Sequence, residues 1–125
     1  MKTEWPESWT GNTQINCDEA GVVTAQISLD GSPGPVHKHN LEAIISRWPQ
    51  LWSEVRRIVP LLITSSRLAP ANWSSIFCLY ISLPDAPIED DQDWDIGVVF
   101  EPNGTLWSVP FRGWKADEDH AQPIW

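Results

Sequence analysis

Three aspartates at two-residue steps, Asp91, Asp93 and Asp95, have the spacing of the first three ligands of a calcium loop, where alternating carboxylates wrap one ion. Such a loop also needs glycine in sixth place and glutamate in twelfth. Here those places hold Ile96 and Pro102, so the match fails where the geometry is most demanding. An open calcium site built from Asp90, Asp91 and Asp93 is the version that survives. Against it stands the plainer expectation that a carboxylate run is solvated and keeps a strand edge from pairing with another chain.

His37 and His39 are two apart, which suits metal chelation on a strand but not on a helix, where the rings diverge. They stand where a helix is expected to begin, with Asn40 as a candidate cap, and the sequence places no third ligand. His120 follows Asp117, Glu118 and Asp119; a carboxylate-oriented imidazole is half of many acid–base sites, but a solvated tail explains this cluster as well. Cys17 and Cys78 are the only cysteines and form no Cys-x-x-Cys pair, so they read as small buried hydrophobes. There is no Gly-x-Ser-x-Gly elbow and no glycine-rich phosphate cradle. The chain is therefore expected to be no enzyme and to use no cofactor.

A net charge of −9 argues against a nucleic-acid binder, which needs clustered Lys and Arg, and against an anionic membrane surface. It suits either simple solubility or a basic protein partner. No apolar run approaches the roughly 20 residues of a membrane span. The start, Met1 to Pro6, lacks the apolar core of a secretory signal, so a cytoplasmic location is expected. Nine tryptophans are many for 125 residues. Most fall in phase with an apolar pattern, as core residues do. Trp5, Trp114 and Trp125 do not, and they are the candidates for an exposed binding surface that stacks on a sugar, a cation or a protein.

The elements that would position these groups centre on residues 93–111. Trp94, Ile96, Val98 and Phe100 alternate with polar or small neighbours; Pro102-Asn103-Gly104 has turn chemistry; Trp107, Val109 and Phe111 alternate again. This is a half-buried antiparallel hairpin. Upstream, Trp9 to Cys17 is a weak strand and Val22 to Leu29 a better one. From Leu41 to Leu62, apolar residues recur at three- and four-residue steps straight through Pro49. That spacing predicts two helices meeting near Trp48-Pro49, with Pro49 in the first turn of the second and Pro60 kinking or shortening it. Residues 73–83 carry apolar side chains on both faces and read as a central strand, with Ile76, Cys78 and Tyr80 on one side and Phe77, Leu79 and Ile81 on the other. The expected fold is α+β: one domain over residues 1–125, with an antiparallel sheet of about five strands in the order ββ-αα-βββ. The helical pair covers one face. Residues 1–8 and 113–125 are expected to be loosely structured ends. A monomer or a weak homodimer through exposed strand edges fits this outline.

Trp9-Thr10-Gly11, the Leu41 to Leu62 helices, and Trp94 to Phe100 leading to Asn103-Gly104 give a further lead. On these segments the chain resembles a family of small bacterial domains of uncharacterised function, distantly like immunity proteins of bacterial toxin systems. It departs from that pattern after Trp94-Asp95, where Ile96-Gly97 replaces an acidic–His–Gly run. The resemblance implies a protein-binding or inhibitor module and carries no active site with it.

Overall fold

A computed structural model of the chain describes residues 12–29, 34–66, 73–89, 92–100 and 105–124. Strands β1 (Asn12–Asn16) and β2 (Val22–Leu29) precede helices α1 (Pro35–Ser46) and α2 (Trp48–Ser66). Then follow β3 (Ile76–Leu83), β4 (Asp93–Phe100), β5 (Leu106–Arg112) and two short strands, β6 (Lys115–Ala116) and β7 (Gln122–Ile124). The sheet runs in chain order from β1 to β6, and β7 also pairs with β5.

The α+β class and the two helices are as expected, but the sheet is mixed. β2 and β3 are parallel, Ala25 lying against Leu79 and Leu29 against Leu83, while every other pair is antiparallel. A hairpin cannot join parallel neighbours; a long crossover can, and α1 with α2 is that crossover. Residues 113–124, expected to be loose, are a second correction. β6 and β7 both pair with β5, and a short 3₁₀ turn at Glu118–His120 lies between them. Two-residue and three-residue strands are too short to show a period in sequence.

The helices start as their prolines dictate. Pro35 takes the first position of α1, where its missing N–H costs nothing, and Pro49 lies in the first turn of α2. α2 then continues beyond Pro60 to Ser66. Asn40 is not the cap of α1. The cap is Gly34, whose carbonyl accepts from His37 N–H at 3.1 Å and whose N–H donates to His37 Nδ1 at 3.2 Å, a reciprocal closure with histidine in the usual Glu/Gln place.

One face of the sheet and the apolar stripe of the helices form a single core. Leu41, Ile44, Trp48, Leu51, Trp52, Val55, Ile58 and Val59 pack from above, and Leu79, Ile81, Ile96, Val98, Val109 and Phe111 from below. β3 does lie centrally, but its predicted alternation breaks at a bulge between Ile76 and Cys78. The extra residue returns Ile76 to the core side with Leu79 and Ile81, and leaves Phe77 62% exposed.

Two adjacent arginines on α2 clamp segments at opposite ends of the chain, because successive helical residues face different directions. Arg56 grips Glu19 with both terminal nitrogens and reaches Asp18 at 3.3 Å; Arg57 bonds Glu54 at 2.7 Å and Glu118 at 3.3 Å. The hydrogen bonds from Arg56 hold the Glu19 carboxyl below its ordinary range. A depressed carboxylate contributes stability that is present above the unfolded glutamate value and is lost as pH falls through the folded one. We therefore expect Glu19→Gln to lower stability modestly at neutral pH and the two proteins to converge as pH falls below about 4.5, because the variant has no such contribution to lose. Urea midpoints of both proteins between pH 3 and pH 7 check this, and parallel curves across that range would contradict it.

Candidate functional site

The residues singled out for chemistry do not converge. Asp93 opens β4, exposed and 4.0 Å from Arg112, and Asp95 stands two positions further along the same strand. Alternate strand residues share one face, but Asp93 has the Arg112 guanidinium beside it, which competes with any cation there. Asp95 is also occupied. Ser82 Oγ donates to its Oδ1 and Ser108 Oγ to its Oδ2 at 3.2 Å, while Asp95 N–H donates back to Ser82 Oγ at 2.9 Å. This trio ties β3, β4 and β5 together on the face the helices leave uncovered, and has no imidazole beside it to activate a hydroxyl. Asp90 and Asp91 lie outside the described residues. Among the described residues no three His, Cys, Asp or Glu side chains gather as metal ligands would.

His37 and His39 both fall in α1 and diverge, His37 buried and His39 exposed. His120 is exposed, its Nδ1 2.7 Å from Asp117 Oδ2. Cys17 and Cys78 are free and buried. Burial, helped by the Asp18 charge, pushes the Cys17 thiol up to about 12, the opposite of an activated nucleophile. The Tyr80 hydroxyl is raised too, first through its hydrogen bond with Cys78 and then by burial. Of the three tryptophans expected at a binding surface, Trp5 and Trp125 lie outside the described residues. Trp114 is half-buried, edge-on to Trp94 at 6.0 Å, and carries the Arg47 guanidinium on its ring at 4.3 Å.

Two features remain that could meet a ligand. The first is acidic. The loop between β3 and β4 presents exposed Asp85 and Glu89 and runs into exposed Asp93. Its far end is joined to the end of β5 by Gly113 N–H donating to Gln92 O at 2.8 Å, and the turn carrying exposed Glu118 and Asp119 follows β5 on that side. What holds this loop is Asn40, buried inside α1. Its Nδ2 donates to Pro84 O at 3.2 Å and Ala86 O at 2.9 Å, and its Oδ1 accepts from Ile88 N–H at 3.1 Å. Sequence reading missed this role, although a lone asparagine on the apolar side of a helix does call for a buried partner.

The second feature is a cleft of about 830 Å³ between β1 with its following turn and the junction of α1 and α2. Ile45, Trp48, Pro49 and Trp52 form its apolar side, and Gln14, Asn16, Asp18 and Arg56 its polar side. Trp48 and Trp52 stack at 5.4 Å, and Trp52 meets Trp73 edge-on at 5.5 Å. Trp48 Nε1 donates to Asn16 O at 3.0 Å, fixing helix to strand. Trp52 Nε1 is buried with no hydrogen-bond partner among the described residues, a condition that costs about 1–3 kcal/mol where it holds. On the rim Asp18 has φ +55°, a left-handed conformation that aspartate tolerates, and its N–H donates to Asn16 Oδ1 at 3.0 Å. Both tryptophans follow the helical period of the core, so the sequence marks them as packing residues and nothing in it separates the two roles.

No helix among the described residues is long and apolar enough to cross a membrane. No family model, curated protein or solved structure matches the chain.

Proposed function

We propose that this chain is a non-enzymatic binding module, of the inhibitor or immunity type the sequence resembles, that meets a basic protein partner through its acidic surface. The observation that carries the reading is the segment from Pro84 to Glu89, which follows β3. Asp85 and Glu89 project into solvent while a buried asparagine holds the backbone at Pro84, Ala86 and Ile88. Charge that merely aids solubility needs no fixed loop, whereas a recognition surface gains from one, since an ordered loop loses less entropy on binding. The distribution of cations supports it: Arg56 and Arg57 are engaged with carboxylates elsewhere, Arg47 lies on Trp114, and Arg112 comes within 4.0 Å of Asp93 alone among the described acids from Asp85 to Asp93. The acids of the loop are thus left in excess.

The experiment is a capture from lysate of the source organism with the tagged protein, washed at about 50 mM and then 500 mM salt. The screening length shrinks from roughly 14 Å to 4 Å across that range, so an electrostatic complex dissociates. A basic protein released by the second wash is the expected result. A partner that is acidic, or one indifferent to salt, would contradict the proposal.

A further inference from the structure

We infer that the cleft between β1 and the α1–α2 junction receives a basic side chain, arginine or lysine, of that protein partner. The inference rests on the reading above and names where one anchoring contact is made. Ile45, Trp48 and Pro49 offer an apolar wall suited to the aliphatic stem of a long cationic residue, and the polar rim opposite offers acceptors for its head.

The charge balance selects the sign of the occupant. Two carboxylates, Asp18 and Glu19, face one guanidinium, Arg56. Arg56 spends both terminal nitrogens on Glu19 and touches Asp18 with one of them at 3.3 Å. Asp18 is the less committed acid, its side chain is 64% exposed, and a carboxylate has about four acceptor sites to offer. An anionic ligand would have to displace Glu19 from a two-point grip, whereas a cation only has to add to Asp18. The chain already seats its own arginines on indoles, Arg47 on Trp114 at 4.3 Å and Arg56 on Trp73 at 5.1 Å. Arg56, which lines this same cleft, shows that a guanidinium and the Asp18 and Glu19 carboxylates are compatible neighbours there.

The test is a titration of the ¹⁵N-labelled protein, followed through the indole N–H signals, with Trp48→Phe and Trp52→Phe identifying the two that matter. The probes are an end-blocked Gly-Arg-Gly peptide, its lysine counterpart, and the citrulline peptide, which keeps the shape of arginine without the charge. Trp48 and Trp52 are expected to shift with the two cationic peptides. The citrulline peptide should bind on the order of tenfold more weakly. Asp18→Asn, which keeps a residue tolerant of positive φ, should lower the arginine affinity by about twofold to fivefold. Equal shifts with citrulline, shifts confined to the acidic loop, or none at all would overturn the inference. A captured basic protein that leaves both indoles unmoved and binds Asp18→Asn unchanged would overturn it while the proposed function stands. Cleft binding of the arginine peptide with no basic partner in any capture would do the reverse.

Discussion

Trp94→Ala is expected to cost about 3–5 kcal/mol, the range for removing a fully packed aromatic residue, out of the 5–15 kcal/mol that holds a domain together. Trp94 is 4% exposed at the start of β4. It stacks on Phe111 with ring centres 4.7 Å apart, meets the edge of Trp114, and donates from Nε1 to Gly113 O at 2.7 Å. These contacts join the hairpin to the segment that turns back after β5. The loss should therefore lower the melting temperature by on the order of 10–20 °C and expose residues 113–124 to protease first. Trp94→Phe keeps an aromatic ring but not the N–H, and should cost only about 1–2 kcal/mol. If both variants melt alike, the hydrogen bond dominates and the packing account is wrong.

Asn40→Ala should be nearly as damaging, at about 2–4 kcal/mol, although it removes far less surface. Asn40 is 1% exposed, and the variant leaves two carbonyls and one N–H of the 84–88 segment without partners in a buried place. Asn40→Asp should be worse at neutral pH, because it sets a carboxylate oxygen against Pro84 O and Ala86 O where a donor is required. Urea unfolding measures the stability loss. Hydrogen exchange at Ile88 N–H, which Asn40 Oδ1 holds, should quicken in both variants while the β4–β5 amides stay protected. A variant as stable as the parent would mean that the asparagine does not hold the loop.

The parts of the fold that were legible from sequence are those where burial alone sets the pattern. Trp94, Ile96, Val98 and Phe100 against Trp107, Val109 and Phe111 announce the hairpin, since one face must be dry. The helical stripe and the placement of Pro49 are legible for the same reason and from the chemistry of proline. Alternation records faces and not strand direction, so the parallel pairing of β2 with β3 left no mark. One inserted residue at Phe77 reverses the assignment of Ile76 without changing the composition of the strand. The turn at 102–104 and the Trp9-Thr10-Gly11 segment lie outside the described residues. Asn40 looked like a cap because asparagine near a helix start usually is one. Its partners are more than 40 residues away, and separations of that kind are what a single sequence conceals.

The claim that the acidic surface binds a basic protein stands or falls on the salt dependence of the captured complex. Calorimetry or fluorescence at several ionic strengths would compare the parent with the Asp85→Asn, Glu89→Gln, Asp93→Asn triple variant. All three residues are exposed, so the variant should fold as the parent does. The claim predicts that the affinity of the parent falls steeply as salt rises, and that the variant binds about tenfold or more weakly at low salt with a flatter dependence. Equal affinities with equal salt slopes would contradict it, because the surface proposed to recognise the partner would then make no difference to binding.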